Sequence, residues 1–177
     1  MDLPTQIGRY QILDRIAQGG MADVYLARTF GVEGFEKRLV VKRIRPPLAR
    51  SPRLVAMFIN EARIAVSLNH PNIVQVYELN RAGDDWFIAM EHIHGRDLTR
   101  IRRTFEAQNR RVPIPLAVFT VATALRGLAY AHGLTDQDGR RLGIVHGDIS
   151  PHNVVVSFAG EVKVVDFGIA RLAGKGA

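Results

Sequence analysis

The chain has 177 residues, the length of one ordinary domain or slightly more. Its 47% hydrophobic and 23% charged residues exclude disorder throughout and permit a core without staples. The absence of cysteine excludes disulfides, thiolate metal sites and a cysteine nucleophile, while a net charge of +7 suggests a polyanionic or phosphate-rich partner.

The first six residues, Met-Asp-Leu-Pro-Thr-Gln, carry no basic segment followed by an apolar one, so no secretory signal is read and a cytoplasmic protein is expected. The longest apolar stretch, 113–130, is interrupted by Arg126 and is read as too weakly hydrophobic to span a bilayer.

In chain order, strands are predicted at 10–16, 24–28 and 38–44. Ser51 and Pro52 supply a cap and first-turn pair for a helix running to about Leu68. Strand-like runs at 73–79 and 86–91 follow, joined by the turn Ala82-Gly83-Asp84-Asp85. Beyond His92 the pattern is helical. Arg96, Arg100, Arg102, Arg103, Arg110 and Arg111 interleave with a single aromatic, Phe105, so they read as a solvated helix face and no specific nucleic-acid partner is expected. Pro113 and Pro115 open a helix to about His132, and short strands at 154–157 and 161–165 close the chain. A β-rich half with one helix thus precedes a mostly helical half, an α+β arrangement.

Two groups of residues break the bland pattern. In Leu39-Val40-Val41-Lys42-Arg43-Ile44, period-two alternation puts Lys42 on the face of Val40 and Ile44. In the helix opened by Pro52, Glu61 falls in the stripe of Leu54, Phe58, Ala65 and Leu68. An inward lysine and an inward carboxylate of opposite sign are each costly alone, so a Lys42–Glu61 pair is predicted. The second group is His146-Gly147-Asp148-Ile149-Ser150-Pro151-His152-Asn153, followed by Asp166-Phe167-Gly168. If the two closing strands form a hairpin, Asp148, Asn153 and Asp166 converge at one end of it, an oxygen set that suits Mg²⁺.

Together and in this order, these residues resemble the signature set of the protein kinases. The segments 18–27 (Gln-Gly-Gly-Met-Ala-Asp-Val-Tyr-Leu-Ala), 68–74 (Leu-Asn-His-Pro-Asn-Ile-Val) and 87–91 (Phe-Ile-Ala-Met-Glu) are similar to bacterial serine/threonine kinases of the eukaryotic type. The likeness implies a two-lobe kinase fold, with 1–92 as the β-rich lobe and 93–177 as a partial helical lobe. It further implies ATP and Mg²⁺ as cofactors and a serine- or threonine-bearing protein as substrate. Carried over residue by residue, Lys42 holds the α- and β-phosphates and is itself held by Glu61, while Asp148 is the catalytic base. Asn153 and Asp166 hold the metal. Ala17, Gln18, Gly19, Gly20, Met21 and Ala22 form the phosphate loop, and Ile16, Val24, Val40 and Val155 enclose the adenine. Met90 stands as gatekeeper, with the backbones of Glu91 and Ile93 at the adenine edge. His146 and Phe167 pack behind the site.

The sequence also departs from the family pattern. Ala17 and Ala22 stand at the first and third glycine places, Val40 at the usual alanine, Gly147 at the arginine that pairs with a phosphorylated activation loop, and Ser150 at the catalytic-loop lysine. The chain runs nine residues past Gly168, so the activation segment and later helices of the family fall outside it. On that reading Val118, Val121, Leu125 and Leu128 are expected to be partly exposed. Two alternatives accompany the kinase reading: a weak or inactive nucleotide-binding pseudokinase, and a small-molecule phosphotransferase of the aminoglycoside or choline type, whose loop often reads H-G-D.

Overall fold

A computed structural model describes residues 3–167 and the backbone of 171–172. Gly168, and the residues up to 170 that extend its motif, lie outside the described residues. The chain divides into two compact units, Met1–Val66 with Gln75–His92, and Ser67–Val74 with Ile93–Ala177.

The first unit is built on a six-stranded antiparallel sheet with spatial order β1-β2-β3-β4-β6-β5. The strands are β1 (Gln6–Ile7), β2 (Tyr10–Gln18), β3 (Ala22–Phe30), β4 (Glu36–Ile44), β5 (Val76–Ala82) and β6 (Asp85–Glu91). Helix α1 (Pro52–Ser67) intervenes, and the Ser51 carbonyl accepts its first hydrogen bond, from Val55 N–H at 3.0 Å. Alternation along β3 and β4 divides the side chains between two cores. One face holds Ala22, Ile44 and Ile88, covered by Phe58, Ala62 and Ala65 of α1. The other holds Tyr25, Ala27, Leu39, Val41, Phe87 and Ala89, covered by Ile7 and Tyr10 from the chain's start. Both faces of the sheet are therefore covered at Leu39, Val40 and Val41, which explains why these three successive residues of β4 are all apolar and buried.

The second unit contains β7 (Gly95–Asp97), α2 (Leu98–Ala107), α3 (Ile114–Gly133), β8 (Ile144–Val145), β9 (Val154–Ser157), β10 (Val162–Val164) and β11 (Arg171–Leu172). β10, β9 and β7 form one small sheet, β11 and β8 another. Asp97 caps α2, accepting from Arg100 N–H at 2.9 Å. All six arginines from Arg96 to Arg111 are exposed, as expected of a solvated face.

Two sequence expectations are corrected. The strand predicted at 73–79 begins only at Val76, because Ile73 and Val74 pair with Val164 of β10, the Val74 N–H donating to the Val164 carbonyl at 2.9 Å. Residues 67–74 accordingly pack with the second unit. The apolar stretch 113–130 is also misjudged by hydropathy: α3 is long and apolar enough, by length and composition, to cross a membrane. Here it lies on β8 and β10 as a packed helix, with Thr120, Thr123, Ala124, Gly127 and Ala131 buried. Val118, Val121 and Leu125 on its other side are exposed and Leu128 is half-buried. Phe58, fully buried between α1 and the sheet, gives the packing a direct measure. Phe58→Ala is expected to lower stability by about 3–5 kcal/mol in a urea titration followed by circular dichroism.

Candidate active site

In the first unit, β4 and β6 bring Lys42 opposite Ile88 and Val40 opposite Met90. Lys42 points toward α1, and its Nζ meets Glu61 Oε1 at 2.5 Å, with both side chains largely buried. The pair predicted from two misplaced charges is present, and its cause is burial: each charge in this apolar wall lowers the cost of the other. Met90 packs against the core that seats α1. Glu91 is tied to Gln75 twice, its N–H donating to the Gln75 carbonyl at 2.9 Å and its carboxylate accepting from Gln75 N–H at 2.7 Å.

The tip between β2 and β3 carries the remaining glycines. The Gly19 N–H donates to the Ala22 carbonyl at 2.9 Å, and a Cβ on Gly19 would lie 2.8 Å from that oxygen, so no larger residue fits. The Met21 carbonyl accepts from Arg45 N–H at 3.0 Å, tying the tip to the end of β4. Ala22 turns its methyl into the core under α1, so any contact it offers a ligand is through its backbone. Ile16, Ala17, Gln18, Gly19 and Gly20 are exposed, Met21 and Val24 half-buried, and Val40 nearly buried.

In the second unit the loop before β9 and the end of β10 are joined through backbone bonds. Asn153 N–H donates to the Ser150 carbonyl, and Val165 N–H to the Asn153 carbonyl, both at 2.9 Å. The Asn153 amide nitrogen donates to Asp148 twice, to its carbonyl at 2.9 Å and to its carboxylate Oδ2 at 3.2 Å. That leaves the amide oxygen as the donor Asn153 offers a cation. Asp166 follows Val165 directly, exposed and with a left-handed backbone at φ 64°. Aspartate tolerates this conformation better than most residues, and such outliers gather at functional sites. The hairpin of β9 and β10 thus brings Asp148, Asn153 and Asp166 into one loop cluster, with exposed carboxylates and an amide oxygen that fit a hard cation. Ile93 and Val155 of this unit are half-buried.

His146 is the residue whose part the sequence underestimates. Its Nε2 lies 3.1 Å from the Val165 carbonyl, an atom that only accepts, so Nε2 carries the proton. Its Nδ1 accepts from Asp148 N–H at 3.2 Å. One buried ring therefore ties the Asp148 loop to the strand end before Asp166, and it packs against Phe167 at 4.4 Å between centroids. The signal available in sequence was only its position two residues before Asp148. Gly147, between them, has φ 78°, a conformation that an arginine in this place would adopt under strain.

A protein kinase domain profile matches residues 10–177. The chain belongs to the protein kinase family. It is 43% identical over 164 residues to the tyrosine-protein kinase MasK of Myxococcus xanthus, covering 93% of this chain and 25% of that protein. It is 36% identical over 163 residues to the serine/threonine-protein kinase PrkC of Bacillus subtilis, covering 92% of this chain and 23% of that protein. Among solved structures, the PknI kinase domain of Mycobacterium tuberculosis superimposes with a TM-score of 0.71 at 26% identity, covering 97% of this chain and 64% of that one. The α+β kinase fold expected from sequence is the fold of this chain. It spans about a quarter of the length of the curated kinases it matches.

Burial holds the His146 pKa below its ordinary value, against the smaller upward pull of the Val165 carbonyl and of Asp166 and Asp148. The unfolded chain then binds the proton more tightly, so the contribution of neutral His146 is complete above about pH 6.5 and is lost as pH falls through that value. Thermal stability should decline between pH 7 and 5 more steeply in the natural chain than in His146→Gln. Parallel profiles would show that His146 is not the titrating group.

Proposed function

We propose that this chain is the nucleotide-binding and catalytic part of an ATP-dependent protein kinase that phosphorylates serine or threonine. The observation carrying the proposal is the double tie of Asn153 to Asp148, with Asp166 one residue from the backbone bond between Asn153 and Val165. Transfer of a phosphoryl group needs little covalent chemistry from the protein and much positioning and charge neutralisation. In this reading Lys42, steadied by Glu61, holds the α- and β-phosphates. Asn153 and Asp166 hold Mg²⁺, which when bound neutralises phosphate charge. Asp148, oriented through Asn153 and His146, accepts the proton of the acceptor hydroxyl. Ile16, Val24, Val40 and Val155 enclose the adenine, Met90 limits the depth of its pocket, and Glu91 and Ile93 read its edge through their backbones. The tip residues Ala17 to Ala22 lie over the phosphates. In this reading the kinase acts in the cytoplasm, a compartment that supplies ATP.

A second reading concerns the acceptor. The name of the Myxococcus relative supports tyrosine, whereas those of the Bacillus and other bacterial relatives support serine and threonine. Phosphoamino-acid analysis of a generic protein substrate labelled by the full chain decides between them, phosphoserine or phosphothreonine being expected. A small alcohol as the sole acceptor would overturn the protein-kinase reading. Calorimetry should show Mg-ATP binding that Lys42→Met weakens. Asp148→Asn should leave affinity for Mg-ATP within about twofold while lowering kcat by about a hundredfold or more, since the base acts on the hydroxyl and not on bound ATP.

Gly147 bears on regulation. With no side chain there to link a loop phosphate to the loop of Asp148, activity of the full chain should survive phosphatase treatment. Loss of activity on dephosphorylation would show that another residue makes that link.

A further inference from the structure

The sheet face opposite Lys42 is apolar along most of its length, but its end nearest the glycine-bearing tip is charged. There Asp23 of β3 stands directly opposite Arg43 of β4 in the antiparallel register. Arg43 Nη2 donates to Asp85 Oδ1 of β6 at 2.6 Å. Asp23 is 6% exposed, and its Oδ2 accepts only a long bond, 3.5 Å, from the buried Tyr25 hydroxyl. Its Oδ1, fully buried, has no hydrogen-bond partner among the described residues, nor has the buried Nε of Arg43.

A carboxylate oxygen buried without a hydrogen bond is costly, and a solvated residue at this position would avoid the cost. Arg43, facing it across the ladder, forms its ion pair with Asp85 and not with Asp23, so attraction to its positive charge offsets part of that cost at longer range. The pair's place in the chain gives that attraction a use. Asp23 follows Ala22, the last residue of the tip, and Arg43 follows Lys42. Apart from the ladder itself, the backbone tie that holds the tip to this end of the sheet is Arg45 N–H to the Met21 carbonyl.

We propose that Asp23 and Arg43 are positioning residues for the nucleotide phosphates, their attraction across β3 and β4 fixing the tip at Gly19–Met21 relative to the strand that carries Lys42. The inference rests on the kinase reading and deepens it: neither residue touches the nucleotide. Adenine is enclosed by other residues, so loss of the pair should be felt at the phosphates alone. Phosphate contacts made by backbone groups depend on a fixed tip, because any freedom left in the tip must be removed when the ligand binds.

The test compares Mg-ATP with adenosine, which lacks the phosphates, by calorimetry on the full chain. Asp23→Asn is expected to weaken Mg-ATP about tenfold, with a matching rise in KM, while adenosine affinity and kcat stay within about twofold. Arg43→Gln, at the less buried end of the pair, should show the same selective loss. The double variant should bind Mg-ATP no more weakly than either single one. Should Asp23→Asn fail to fold, Arg43→Gln carries the test alone. Equal weakening of both ligands, or weakening of neither, would overturn the proposal and leave the kinase reading standing. Failure of the unsubstituted chain to bind Mg-ATP would remove both.

Discussion

A lysine and a glutamate buried against one another set the terms for the first unit. Lys42 sits on an apolar strand and Glu61 on the apolar side of a helix, at 2.5 Å. Removing either would leave the other charge buried without compensation, a cost of about 3–5 kcal/mol in such pairs. The pair therefore fixes more than its own geometry. It sets which face of α1 meets the sheet, so that Phe58, Ala62 and Ala65 fill the space over Ile44 and Ile88. Packing and ion pair require the same rotation of the helix, and this agreement between levels is what gives a chain one structure.

The second unit solves a different problem, that of holding an exposed loop still. Asp148 and Asp166 lie at the surface, where side-chain packing cannot position them. Backbone and amide bonds do so instead: Asn153 to Asp148, Val165 to Asn153, and the buried His146 ring to both sides. The left-handed turn at Asp166 and the positive φ at Gly147 are tolerated because this network determines the path of the chain around them. A neutral imidazole is needed for the network, since a protonated ring could no longer accept from Asp148 N–H. Burial supplies that neutrality.

The departures from the family pattern have local physical reasons where the structure describes them. Ala22, at the third glycine place, fills part of the core under α1, so the methyl is accommodated on the side away from the tip. Gly19 is retained where a Cβ would collide with the Ala22 carbonyl. Gly147 adopts a backbone that favours glycine. No feature of the described residues explains Ser150 beyond its carbonyl accepting from Asn153 N–H.

The sequence by itself determined β2, β3, β4 and β6 of the first sheet, the helix between them, the Lys42–Glu61 pair and the cluster of Asp148, Asn153 and Asp166. Alternation and helical period report which side of an element is buried, and a charge on the wrong side stands out against that pattern. Only the tertiary structure decided three other matters. Short elements such as β1, β7 and β8 carry too few residues for any period, and exist because a neighbouring strand supplies their hydrogen bonds. The 73–74 segment left its expected strand for β10, a choice between two pairing partners that local sequence does not encode. Asp23 and Arg43 lie on the same face of adjacent strands, and alternation alone does not reveal that this face is covered. Burial beneath the covered face turns them into an opposed pair, since a period of two reports which face a residue occupies and not whether that face meets water.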